Sequence, residues 1–171
     1  ASESSPSTSS TSSRIDIVAI GEPMVEFNQT GERDGRVFLQ GFGGDSSNFV
    51  IAAARQGART AYVSALGDDP YGGMLSELWR REGVDQSGVP TNTAAFTAIY
   101  FVTHDTHGHH FHFFRTGSAA SRLRPQDLPR GLIEGARVLH LSGISLAIIA
   151  VVNGLGTTGE EVEALYCRTQ D

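Results

Sequence analysis

The spacing of apolar residues changes several times along the chain, and each change marks an element. Residues 15–20 are a continuous apolar run broken by one acid, Asp16, as in a strand buried on both faces. Gly21-Glu22-Pro23 ends that run. Residues 24–27 and 37–40 predict two short strands around a turn at 28–35. A helix is predicted over 45–57, with Asp45 able to cap it and Gly57 to stop it. Residues 60–66 read as a second buried strand. Asp69-Pro70 opens another helix with a cap and a proline at the first helical position. On this helix Tyr71, Met74, Leu75, Leu78 and Trp79 fall at i, i+3, i+4, i+7 and i+8. They form a single apolar face, so these rings belong to core packing. Gly83 closes the helix. Residues 96–103 and 110–115 alternate aromatic and polar side chains around 104–109, as an antiparallel hairpin does.

Strand–helix–strand–helix order predicts a parallel sheet with helices on both sides. Ligands in such sheets collect at the carboxyl ends of the strands. Gly21, Gly67 and Gly143 each follow a predicted strand, so their loops should share one rim. The Gly43-Gly44 turn should approach the same rim, because a backbone without Cβ atoms can come close to a bound molecule.

Bulk properties narrow the choice. A chain of 171 residues with 39% hydrophobic and 19% charged residues suits one globular domain. The net charge of −6 argues against a nucleic-acid partner. All thirteen basic residues are arginine, which excludes a lysine phosphate grip or Schiff base in this chain. Cys167 is the only cysteine, so no internal disulfide is available, consistent with a reducing cytoplasm. Ser and Thr dominate residues 1–13, which read as a disordered tail without the apolar core of a signal peptide. The apolar stretch 146–152 is far shorter than the roughly 20 residues of a membrane span, so no membrane partner is expected.

Candidate chemistry centres on Gly43-Gly44-Asp45-Ser46-Ser47-Asn48, a glycine pair opening a helix whose short polar groups are placed toward a ligand. Its neighbours in order are 15–23, 63–72 (Val-Ser-Ala-Leu-Gly-Asp-Asp-Pro-Tyr-Gly), Glu82-Gly83-Val84-Asp85, Arg115-Thr116-Gly117-Ser118-Ala119 and Leu139-His140-Leu141-Ser142-Gly143-Ile144. The set resembles the amino-terminal half of the pfkB (ribokinase-like) carbohydrate kinases over about residues 14–148. Within that family it looks most like the 2-dehydro-3-deoxygluconate kinases.

The resemblance implies an α/β fold, a ribokinase-like parallel sheet flanked by helices, with a small β lid from about 24–40 and 96–115. It also implies a small-molecule sugar acid as substrate, ATP with Mg²⁺ as phosphoryl donor, and homodimer formation through the lid. By position, Gly43, Gly44, Asp45, Asn48, Tyr100, Arg115 and Ile144 would bind substrate, with Arg115 holding the acid group. Phe113 stands where the family has a tyrosine, and Glu26 where ribokinase- and fructokinase-like members place an aspartate. The family's Gly-x-Gly-Asp anion hole, its proton-accepting aspartate and its nucleotide pocket belong to a second half not recognised here. The chain alone is therefore expected to be inactive.

Two features stand outside this reading. Five of six histidines fall within residues 104–112. They suit a solvated hairpin tip better than a metal cluster, because no cysteine is near. Residues 148–159 spell a strand followed by G-x-G-x-x-G, a dinucleotide-binding pattern, though the acid it requires would fall past Asp171. Residues 149–171 are read as a divergent or truncated end. The chain is thus the substrate-binding half of a sugar-acid kinase, a non-catalytic sugar-binding or dimerising module, or, less favoured, a fragment of an NAD-binding oxidoreductase.

Overall fold

The structure, a computed structural model, describes residues 14–143. The 1–13 tail, Ile144, the glycine pattern at 154–159 and the remainder of 149–171 lie outside the described residues.

The described residues form two four-stranded sheets and one two-stranded ribbon. The core sheet has strand order β10-β1-β4-β6 and is parallel throughout. Its strands are β1 (Ile17–Ile20), β4 (Thr60–Val63), β6 (Asp85–Gly88) and β10 (Val138–Leu141). The lid sheet has order β3-β2-β8-β9, with β2 (Met24–Gln29), β3 (Phe38–Gly43), β8 (Ile99–Asp105) and β9 (Gly108–Phe114). Within it β2 and β8 run parallel, and the outer pairs are antiparallel. A two-residue ribbon, β5 (Leu66–Gly67) with β7 (Thr91–Asn92), completes the strands.

Alternation along the core strands sorts side chains between two faces. Ala19 and Tyr62 face helices α1 (Asp45–Arg55) and α2 (Pro70–Arg81), packing with Val50, Ile51, Leu75 and Trp79. Val18, Ile20, Ala61 and Val63 point the other way, onto Ala119, Leu123, Leu128 and Ala136 from the segment around helix α3 (Arg130–Gly135). Helices therefore cover both faces, as the strand–helix order predicts. The apolar stripe of α2 packs into the core, with Leu75 and Trp79 fully buried. Asp69 caps that helix by accepting from the Gly72 N–H at 2.8 Å.

Some elements differ from their predicted form. Asp45 does not cap α1: Gly44 is the N-cap, at φ 100°, and the Asp45 carboxylate accepts from the adjacent Ser46 N–H at 2.7 Å. Ser46 and Ser47 turn inward rather than toward a ligand, because each meets a buried aromatic group. Ser46 Oγ lies 2.9 Å from the Tyr62 hydroxyl, and Ser47 Oγ accepts from Trp79 Nε1 at 2.9 Å. The run 60–66 is two strands, since β4 ends at Val63 and the chain breaks pairing before β5. The lid hairpin turns tightly between Asp105 and Gly108, so several of its histidines lie within the strands and not in the turn.

Candidate active site

Pro23 and the residues beside it carry the chain from β1 of the core sheet into β2 of the lid. Gly43-Gly44 return it from β3 to α1, and residues 115–118 bring it back from β9. These crossings converge on a cleft of about 200 Å³ lined by Glu22, Met24, Gly44, Asp45, Tyr100, Phe111, Phe113 and Arg115. The cleft lies between the lid and the first turn of α1.

Backbone freedom brings the crossings together. A Cβ at Gly44 would stand 2.7 Å from the Glu22 carbonyl oxygen, and its φ of +100° is one that other residues rarely adopt. Gly43 faces the Tyr100 ring, where a Cβ would collide with the phenol. Its part is to make room for that tyrosine. Tyr100 is buried, and its hydroxyl donates to Glu26 across the β2–β8 pair. Burial, followed by the neighbouring Glu26 carboxylate, pushes the Tyr100 phenol well above its ordinary range. It therefore stays protonated, and its oxygen keeps an acceptor position for a ligand hydroxyl. The Tyr100 ring lies 5.6 Å from Phe113 and 6.1 Å from Phe111, which gives the lid an aromatic inner wall.

Arg115 follows β9 and reaches back to Glu22. Its Nε donates to Glu22 Oε2 at 2.7 Å, and its Nη2 pairs with the same oxygen. Glu22 is 3% exposed and is satisfied at its other oxygen by the Ser118 hydroxyl. The Arg115 guanidinium also lies 5.5 Å over the Phe113 ring. Arg115-Thr116-Gly117-Ser118 is a closed turn: the Ser118 N–H donates to the Arg115 carbonyl at 2.9 Å, and Gly117 has φ 80°. A positive φ at the third position is what a type II turn requires, and it sends both side chains toward Glu22.

Of the residues singled out from the sequence, Gly44, Asp45, Tyr100 and Arg115 meet at this cleft. Gly43 sits behind Tyr100. Asn48 is exposed and lines a separate groove with Phe42, Ile51, Ala52, Arg55 and Gln56. Ile144 lies outside the described residues. Sequence reasoning missed Glu22, whose one signal was an acid placed between a strand-ending glycine and a proline. Asp16 is structural, since both its oxygens accept from the Arg59 side chain at 2.9 Å. Among the described residues, no group of three or more His, Cys, Asp or Glu side chains is arranged to hold a metal ion. No described helix is long and apolar enough to cross a membrane.

Comparison with known proteins supplies the context for this geometry. Residues 14–165 match the pfkB family carbohydrate kinase description. A probable fructokinase-3 of Arabidopsis thaliana is 41% identical over 145 residues, covering 81% of this chain and 41% of that protein. The 2-dehydro-3-deoxygluconokinase of Thermoproteus tenax is 37% identical over 145 residues, covering 78% of this chain and 43% of that protein. The fructokinase is thus the more similar of the two, against the sequence expectation of a deoxygluconate kinase. The structure of a Xylella fastidiosa fructokinase with bound ATP superposes with a TM-score of 0.68 at 29% identity, covering 73% of this chain and 38% of that one. The chain spans about two fifths of the length of the curated relatives it matches. It belongs to the pfkB family of carbohydrate kinases.

Proposed function

We propose that this chain forms the acceptor-binding part of an ATP-dependent sugar kinase whose substrate is a sugar acid of the 2-dehydro-3-deoxygluconate type. One observation carries the substrate reading. Glu22 engages only the Nε–Nη2 side of Arg115, so the end-on edge, with Nη1 and the second Nη2 proton, remains to meet a carboxylate in the cleft. Two parallel N–H···O bonds from that edge would fix the acid group. The Tyr100 oxygen and the Asp45 carboxylate would accept from sugar hydroxyls, and the Phe111–Phe113 wall would exclude water from the ring face. Ile144, Gly43 and Asn48 enter this reading through the family resemblance alone.

The nucleotide is a separate matter. The ATP-bound Xylella fructokinase supports ATP as the donor in the intact enzyme. The cleft here offers one free guanidinium edge beside the carboxylates of Glu22 and Asp45, too little positive charge to fit a polyphosphate. These residues therefore hold and orient the acceptor. Phosphoryl transfer depends on positioning and on charge stabilisation at the transferring group, which this part of the enzyme would receive from the remainder of the fold. A second copy would pair through the lid, where Phe111, Phe113, Phe114 and Leu39 are about half exposed or more.

A second reading takes fructose as the acceptor and is favoured by the higher identity to the Arabidopsis fructokinase. Calorimetric titration of the 171-residue chain with 2-dehydro-3-deoxygluconate, fructose and gluconate separates the two. Binding of the keto-acid is the expected result. Binding of fructose alone would replace it with the second reading, and binding of neither would overturn both.

A further inference from the structure

We propose that Glu22 is a positioning residue for substrate recognition: it holds the Arg115 fork so that its end-on edge faces the cleft. This inference rests on the sugar-acid reading above and adds to it the residue that makes the arginine selective.

Glu22 is held from every side. Its carbonyl oxygen sits against the Gly44 backbone, in a space only a glycine leaves open. Pro23 restricts the backbone of Glu22, the residue before it. Its Oε1 accepts from the Ser118 hydroxyl, and Ser118, itself fully buried, accepts in turn from the Ser121 N–H at 3.2 Å. The remaining oxygen, Oε2, takes two N–H groups from the same side of Arg115. A guanidinium is planar, so fixing Nε and Nη2 on one atom also fixes the direction of the adjacent end-on edge.

An arginine on a free lid strand would have to give up several rotatable bonds of freedom on binding an acid. One already anchored binds with that cost reduced. The pair also lies at the crossings between core and lid, so Arg115 is referenced to the core sheet through the β1–β2 connection and not to the lid alone. No further partner of the Arg115 guanidinium besides Glu22 and the Phe113 ring is found among the described residues.

Anchoring and charge predict opposite results, which makes the idea testable. If Glu22 acted only by offsetting the arginine's charge, removing its own charge would strengthen anion binding. If it acts by positioning, the same change would weaken it. The 171-residue chain, Glu22→Gln and Ser118→Ala are titrated with 2-dehydro-3-deoxygluconate and with its neutral C1 amide. The measured quantity is the acid-to-amide affinity ratio. A purely structural role would lower both affinities together and leave the ratio unchanged.

Glu22→Gln should lower the ratio about tenfold, and Ser118→Ala about threefold, since that variant keeps the charge and removes only its anchor. A ratio unchanged or raised in Glu22→Gln overturns the proposal. Should Glu22→Gln show no cooperative melt, Ser118→Ala decides alone, with an unchanged ratio overturning the idea. Failure of the unsubstituted chain to bind the acid is a distinct result, which removes the sugar-acid reading and this inference with it.

Discussion

His140 lies in β10 with its ring stacked on Phe49, the centroids 3.8 Å apart and the planes 18° apart. Burial holds its pKa below the ordinary 6.5, while the nearby Asp45 pulls it partly back. The folded chain therefore prefers the neutral ring, and the unfolded chain takes up a proton first as pH falls. Stability should drop as pH goes below about 6.5 and level off once the folded-state value is passed. The midpoint of thermal unfolding, followed from about pH 7.5 to 5, should fall less in His140→Phe, which keeps the stacked ring. Equal slopes in the two proteins would refute this. Gly44 carries a second residue-scale prediction. Gly44→Ala forces a Cβ against the Glu22 carbonyl at a positive φ and should cost about 1–3 kcal/mol in denaturant unfolding. Gly44, Tyr100 and Arg115 were singled out through the family resemblance, and the structure brings all three to one cleft. Glu22 was not, because its partner lies 93 residues away and nothing local marks an acid as buried.

Helix α2 shows how periodicity becomes energy. Trp79 is fully buried, meets Tyr62 edge-on at 4.9 Å and donates to Ser47. Trp79→Ala should cost about 3–5 kcal/mol, read as a lower denaturant midpoint. Trp79→Phe should recover much of that loss while leaving the buried Ser47 hydroxyl without its donor. At the other end of the helix Asp69 serves two elements, since its second oxygen accepts from the Thr97 N–H at 2.7 Å just before β8. Burial works against the charged form, yet the N–H groups of Thr97 and Gly72 hold its carboxyl below the usual range. A depressed carboxyl contributes stability above its unfolded pKa and loses it as pH falls through the folded value. Asp69→Asn should therefore flatten the acid limb of unfolding below about pH 4. The α2 cap and stripe were visible in the sequence because both are local. The extension of β3 to Gly43 was not, since six residues are held there by pairing with β2 and not by their own alternation.

At the scale of the whole chain, the lid among the described residues is a four-stranded sheet with β3 and β9 at its edges, and β9 is exposed along its full length. An unpaired, aromatic edge of this kind invites association. Sedimentation of the 171-residue chain should show a dimer, and Phe114→Asp should shift it toward monomer. A monomer at all concentrations would refute lid-to-lid pairing. The order of elements and the helical cover on both faces of the core sheet were legible because strand, helix and turn signals agreed. Strand order within the sheets was not, because pairing between distant segments leaves no periodic trace. The same feature sets a clock. β1 lies between β4 and β10, so Ile17 leaves the ribosome well before Val138 and must await it on one side. At usual rates of synthesis that interval is on the order of ten seconds. For that time one flank of the central strand has no mate, which makes the nascent chain, more than the finished one, the species most open to capture by a chaperone or by another copy.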